Sequence, residues 1–222
     1  MAVRRVIDLS MPLDERTPYY RGDPAPRLCA ATTIARDGFN VTSLDVSSHV
    51  GTHCDAPYHF LEDGARIDEL PFERFLGPGV VVDVTGLAPR TPITWQHLAP
   101  AADAFGPGVI VLLRTGWDVH RESARYFTHP YLEGDACARL LELGVRTIGI
   151  DAINIDETPA GDLDLERFRC HAQISAAGGV IVENLAGLGA VDFPAPVISV
   201  LPLRLAGGDG APARAVAIEG LA

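Results

Sequence analysis

The residues best suited to chemistry are gathered in one short run, His49-Val50-Gly51-Thr52-His53-Cys54-Asp55-Ala56-Pro57-Tyr58-His59. It holds three of the chain's 7 histidines and one aspartate. Two imidazoles and a carboxylate suit Zn²⁺ or Mn²⁺ and leave positions open for water. The run makes a poor helix, because Ser47, Ser48, Val50, Gly51 and Thr52 are weak helix formers and Pro57 would stop one. An extended path serves better. A strand over Asn40–Val50 would place Asp45, Ser47 and His49 on one face, and Gly51 would let the chain turn. His53 and Asp55, two residues apart, would then point the same way. On spacing alone two readings stand: a three-ligand claw, and a chance cluster of structural or exposed histidines.

Two distant residues are of ligand type. His171 falls in a helical segment, Leu163–Ala177, with Phe168, Ala172 and Ser175 as neighbours on its face. Glu183 ends the apolar run Val180-Ile181-Val182. A buried carboxylate there is costly unless paired or bound to metal, whereas a strand-end carboxylate in water needs no partner. A surface or partly buried imidazole is likewise the plain reading of His171. Thr52 and Ser47 are candidates for hydrogen bonds around the ligands, and Cys54 alternates away from them into packing. Tyr20, Phe60, Phe72 and Trp117 are candidate pocket walls.

The elements that must carry these groups are short and punctuated by Gly and Pro. Val3–Leu9 and the apolar runs Val80–Val84, Val109–Leu113, Val145–Ile150, Val180–Val182 and Val197–Leu205 read as strands. Asp135–Gly144 reads as a helix ending on glycine, and Thr94–Ala99 as a shorter one. The expected fold is therefore α/β, with many strands, few helices and a mixed sheet, in one domain spanning 1–222.

Composition sets the class of partner. With 47% hydrophobic and 21% charged residues the chain has the make-up of a globular protein. A net charge of -11 argues against nucleic acid or an anionic membrane as partner and does not by itself name a substrate. Neither a signal peptide nor an apolar stretch of bilayer length is legible. Cys29, Cys54, Cys137 and Cys170 are scattered without C-x-x-C spacing, as expected of reduced thiols in a cytoplasm; Cys29 and Cys137 are expected to be small buried hydrophobes.

The run His49–His59 resembles the H-x-G-T-H-x-D-x-P-x-H signature of the cyclase family, which includes bacterial kynurenine formamidases and isatin hydrolases. Tyr20-Arg21-Gly22-Asp23-Pro24, Leu113–Trp117, Gly149-Ile150-Asp151 with Ile155-Asp156, and Leu201–Val216 resemble further segments of that family. The resemblance implies a swivelling β/β/α fold, usually a homodimer or homotetramer. It implies a metal held by His49, His53 and Asp55, with Asp55 bridging to a second held by His171 and Glu183. It gives His59 the role of proton carrier. Tyr20 stands near where kynurenine formamidases carry a substrate-contacting tryptophan, so it is the candidate substrate contact. The implied activity is hydrolysis of the C–N bond of a formamide, lactam or similar amide with one or two Zn²⁺ ions, or Mn²⁺ in their place. Ring-closing dehydration of a small carbonyl substrate and a non-catalytic metal-binding module are the alternatives.

Overall fold

The apolar runs between Val80 and Val182 become the middle of a nine-stranded mixed sheet. The computed structural model describes residues 3–161 and 165–220. Its strands are β1 (Arg5–Asp8), β2 (Arg27–Thr32), β3 (Val41–Asp45), β4 (His53–Asp55), β5 (Leu76–Asp83), β6 (Pro92–Ile93), β7 (Ile110–Arg114), β8 (Tyr131–Leu132), β9 (Thr147–Ile150), β10 (Val180–Glu183), β11 (Val197–Ser199), β12 (Gly210–Pro212) and β13 (Val216–Glu219). The helices are α1 (Ile34–Asp37), α2 (Trp95–Leu98), α3 (Gly134–Glu142) and α4 (Arg169–Ala176).

The main sheet runs β1-β13-β11-β5-β7-β9-β10-β4-β12. β5, β7, β9 and β10 are parallel, and the strands flanking them pair antiparallel. The central strands bury both faces. From β7, Val111 and Leu113 pack with Leu98, Ala136, Leu140 and Ile174 on the helical side. Ile110 and Leu112 pack with Phe75, Val182 and Ile198 on the other. Burial on both faces is why these runs read as continuously apolar. Each such side chain contributes about 1.5–3 kcal/mol by leaving water.

The helices follow their patterns with shifted ends. α3 buries Ala136, Cys137 and Leu140 as one stripe, and Gly144 takes φ 92° just past its end. Thr94 caps α2 together with His97. α4 is shorter than the sequence suggests: it begins at Arg169, residues 165–167 form a separate 3₁₀ turn, and Leu163 lies outside the described residues. No helix among the described residues is long and apolar enough to cross a membrane.

Three other expectations are corrected. The strand expected over Asn40–Val50 ends at Asp45, because among the described residues β3 pairs only with β2, in a separate, exposed hairpin. The chain must then leave the hairpin to enter the main sheet at β4, so His49 sits in a turn rather than at a strand end. Cys29 belongs to that hairpin and is exposed, whereas Cys137 is buried as expected. The run Val197–Leu205 is strand only to Ser199.

Candidate metal centre

Strand register assembles the first half of the site. β4 pairs antiparallel with β10 so that Asp55 stands opposite Ile181 and His53 opposite Glu183. Paired residues share a face, and so do residues two apart along a strand. His53, Asp55 and Glu183 therefore project together toward α4, and their neighbour Cys54 points into the opposite core cluster. Gly51, at φ 57°, turns the chain into β4. Gly210 makes the approach of His49 possible: a Cβ there would lie 2.8 Å from His49 Cε1 and 2.7 Å from the Cys54 carbonyl oxygen.

All five candidate ligands converge. His49 donates from Nδ1 to Asp55 Oδ1 at 2.7 Å. His53 Nε2 lies 3.2 Å from Asp55 Oδ1 and 3.8 Å from Glu183 Oε2. His171 Nε2, arriving from α4, lies 3.6 Å from Asp55 Oδ2 and 3.6 Å from Glu183 Oε1. His53, Asp55, His171 and Glu183 are all at most 5% exposed. The solvent-facing readings of His171 and Glu183 are thereby excluded.

Each imidazole turns one nitrogen to the cluster and has the other anchored. His49 Nε2 donates to Asp209 Oδ2 at 2.9 Å, His53 Nδ1 to the Gly51 carbonyl at 2.7 Å, and His171 Nδ1 to Asp156 Oδ2 at 2.8 Å. Asp156 also accepts the backbone N–H groups of Cys170 and His171 at the start of α4. Such outer partners fix ring orientation and tautomer in metal sites.

The donor set fits a divalent cation. Asp55 Oδ2 is buried with no hydrogen-bond partner among the described residues, an expensive state for a carboxylate oxygen unless a cation neutralises it. Burial, and then the charge of Asp55, push the Glu183 carboxyl above its ordinary value. Burial also opposes ionisation of Asp55, but His53 and His49 outweigh it and hold that group well below the carboxylate range. Burial works against protonation of His49 and His171 too, yet their carboxylate partners raise both to about 10. Two buried carboxylates faced by three imidazoles make a site for a positive ion. By proximity, two trios could each hold one: His53, Asp55 and Glu183, and His49, Asp55 and His59. Asp55 is common to both.

His59 is carried on the 3₁₀ turn Pro57–His59. Its ring centroid lies 4.0 Å from that of His49, and its Nδ1 lies 3.7 Å from Asp209 Oδ2. It borders a cavity of about 900 Å³ whose walls include Tyr20, Tyr58, Phe60, Phe168 and Asn184. Phe60 packs against both Phe168 and His171, at 5.7 Å and 4.6 Å between centroids. Tyr20 is half-buried at this wall, 6.3 Å from the Phe168 ring. Two other candidate walls are elsewhere. Phe72 is 75% exposed on a separate turn, and Trp117 is core, its Nε1 donating to the Arg125 carbonyl. Ser47 Oγ has no hydrogen-bond partner among the described residues, and Thr52 Oγ donates to the Asn184 carbonyl, so neither hydroxyl supports a ligand directly.

Asp209, Asp156, Phe168 and Asn184 were not foreseen as parts of the site. Asp156 and Asp209 had a legible signal, each an acidic residue in a segment shared with the cyclase family. Phe168 had its place three residues before His171 on the same helical face, and Asn184 had none, because only the end of β10 places it at the cavity.

Known proteins share this architecture and sequence. The putative cyclase family profile matches residues 7–157. A kynurenine formamidase of Paracidovorax citrulli is 34% identical over 223 residues, covering 96% of each chain. An isatin hydrolase bound to the product analogue thioisatinate shares the fold at TM-score 0.88 and 23% identity, over 96% of this chain and 91% of that one. A potential metal-dependent hydrolase with cyclase activity aligns at TM-score 0.76 and 28% identity, over 98% and 99%. With most of its length matched by the family profile and 96% of it by the kynurenine formamidase, the chain belongs to the putative cyclase family.

Proposed function

We propose that this protein is a metal-dependent hydrolase that cleaves the C–N bond of a formamide, lactam or similar amide. The observation that carries the reading is Asp55, a buried carboxylate facing three imidazoles with one oxygen that accepts no hydrogen bond among the described residues. The kynurenine formamidase and isatin hydrolase relatives supply the substrate class. We assign His49, His53 and Asp55 to one ion and Asp55, His171 and Glu183 to a second, with Zn²⁺ as the ion and Mn²⁺ as the substitute. A bound divalent cation acidifies water and polarises a carbonyl oxygen.

The chain's own groups do the rest. Asp209, Asp156 and the Gly51 carbonyl hold the three ligand rings in place. Tyr20, Phe60 and Phe168 offer apolar faces to an aryl substrate and shield it from water. His59, with its side chain 30% exposed beside the cavity, takes a proton from the attacking water and returns it to the leaving nitrogen. The experiment is turnover of N-formyl aryl amines and isatin-like lactams by metal-loaded and chelated protein.

A second reading keeps the ions and changes the reaction to a ring-closing dehydration, as the family description and the cyclase-active neighbour suggest. Product mass separates the two, since hydrolysis adds a water and cyclisation removes one. We further propose a cytoplasmic homodimer or homotetramer. The exposed Phe39, Val41 and Leu44 of the hairpin support a contact between copies, which sedimentation would read.

A further inference from the structure

We propose that the carboxamide nitrogen of Asn184 is a further catalytic donor, aimed at the carbonyl oxygen of the bound amide, and that Tyr126 is the positioning residue that holds it. The inference rests on the amide-hydrolase reading and adds a residue to it.

Asn184 follows Glu183 at the end of β10 and lines the cavity together with His53, His171 and Glu183. It is 1% exposed, and its backbone sits at φ 56°, a left-handed conformation uncommon for a residue with a side chain. Such backbones persist where their surroundings enforce them, often at active sites. The enforcement is visible: its N–H donates to the Ala152 carbonyl at 2.8 Å, and its carbonyl accepts from Thr52 Oγ at 2.6 Å. Met11 N–H in turn donates to Thr52 Oγ at 2.9 Å, tying this corner to the chain's first segment.

The side chain is fixed at one end only. Tyr126 is completely buried, and its hydroxyl donates to Asn184 Oδ1 at 2.8 Å. This is the one hydrogen bond of that hydroxyl among the described residues, so the carboxamide cannot be turned round without orphaning a buried O–H. Nδ2 is thereby committed to the opposite side. It donates no hydrogen bond among the described residues, and its residue lines the cavity. A carboxamide whose oxygen is held by Tyr126, whose nitrogen donates to no group among the described residues, and whose residue lines the cavity with Glu183 is a pre-aimed donor.

In the reaction, water adds through oxygen to the formyl carbon and the carbonyl π pair moves onto the carbonyl oxygen. Asn184 donates to that oxygen as its negative charge grows. The pair returns as the C–N bond breaks, the nitrogen takes one proton from the water, the second water proton passes to solvent, and formate and the free amine leave. No oxidant or further reactant is needed.

The test uses formanilide as substrate and the full-length, metal-loaded enzyme. Asn184→Gly suits the left-handed backbone and removes the donor. Its kcat is expected to fall roughly 10²-fold, with KM and metal content changed by no more than about 3-fold. Tyr126→Phe frees the carboxamide and is expected to lower kcat about 10-fold with the same pattern; it also serves if the glycine variant does not fold. A kcat within about 2-fold of wild type in folded, metal-replete Asn184→Gly would overturn the assignment while leaving the hydrolase reading intact. Wild-type enzyme inert toward formanilide and related amides would overturn both.

Discussion

Asp209 Oδ2 lies 2.9 Å from His49 Nε2 and 3.7 Å from His59 Nδ1, so one carboxylate steadies both a candidate ligand and the candidate proton carrier. The hydrogen bond from His49, and then the neighbouring His59, hold the Asp209 carboxyl far below the usual range, so it stays ionised throughout the working pH. Asp209→Asn keeps the shape and removes the charge. Metal affinity, measured by competition with a chromogenic chelator, is expected to fall about 10–100-fold. Unchanged affinity and rate would remove Asp209 from the site.

His59→Ala should separate binding from chemistry. With His59 as proton carrier, the variant keeps its metal content while kcat falls about 10²–10⁴-fold. Loss of metal together with rate would instead place His59 among the ligands, as its proximity to His49 and Asp55 allows.

Gly210→Ala tests the packing beneath His49. The added methyl would meet His49 Cε1 at 2.8 Å and the Cys54 carbonyl oxygen at 2.7 Å, one a ring and the other backbone. A stability loss of roughly 1–3 kcal/mol in chemical denaturation is expected, with weakened metal retention. A variant as stable and as metal-replete as wild type would show that His49 has room to move.

Stability should depend on pH through His129, outside the metal centre. Its Nδ1 donates to the Pro130 carbonyl and its Nε2 accepts from Thr158 Oγ, at 2.8 Å and 2.9 Å. Burial lowers its pKa to about 4. The unfolded chain, with an ordinary histidine near 6.5, binds more protons than the folded one between those values, so unfolding free energy rises with pH across that window. The contribution is fully present above about 6.5 and lost as pH falls toward 4, on the order of 3 kcal/mol in all. His129→Gln should flatten the profile relative to wild type between pH 4 and 6.5. Parallel profiles would show that His129 titrates normally.

Much of this was legible in the residues, for identifiable reasons. The central strands announced themselves because burial on both faces leaves an unbroken apolar run, and α3 because one face is apolar and a glycine stops it. His53 and Asp55 were placed correctly, since residues two apart on a strand must share a face. His49 reads as a strand-end residue but sits in a turn, because a strand pattern does not reveal which strand it pairs with, and among the described residues β3 pairs only with β2. The union of Glu183 with His53 depends on the register of β10 against β4, and the arrival of His171 depends on how α4 packs. Local pattern encodes neither. Tyr126 and Asn184 meet across 58 residues through one hydrogen bond that nothing in either neighbourhood foretells.

The most direct measurement is elemental analysis and formanilide turnover on the same preparation, before and after chelation, beside the Asp55→Ala variant. Wild type is expected to carry one or two equivalents of Zn²⁺ or Mn²⁺, to lose turnover on chelation and to regain it on re-addition, with Asp55→Ala lacking both metal and rate. Amide hydrolysis that survives complete removal of metal, or an Asp55→Ala variant that binds metal and turns over like wild type, would contradict a centre built around Asp55.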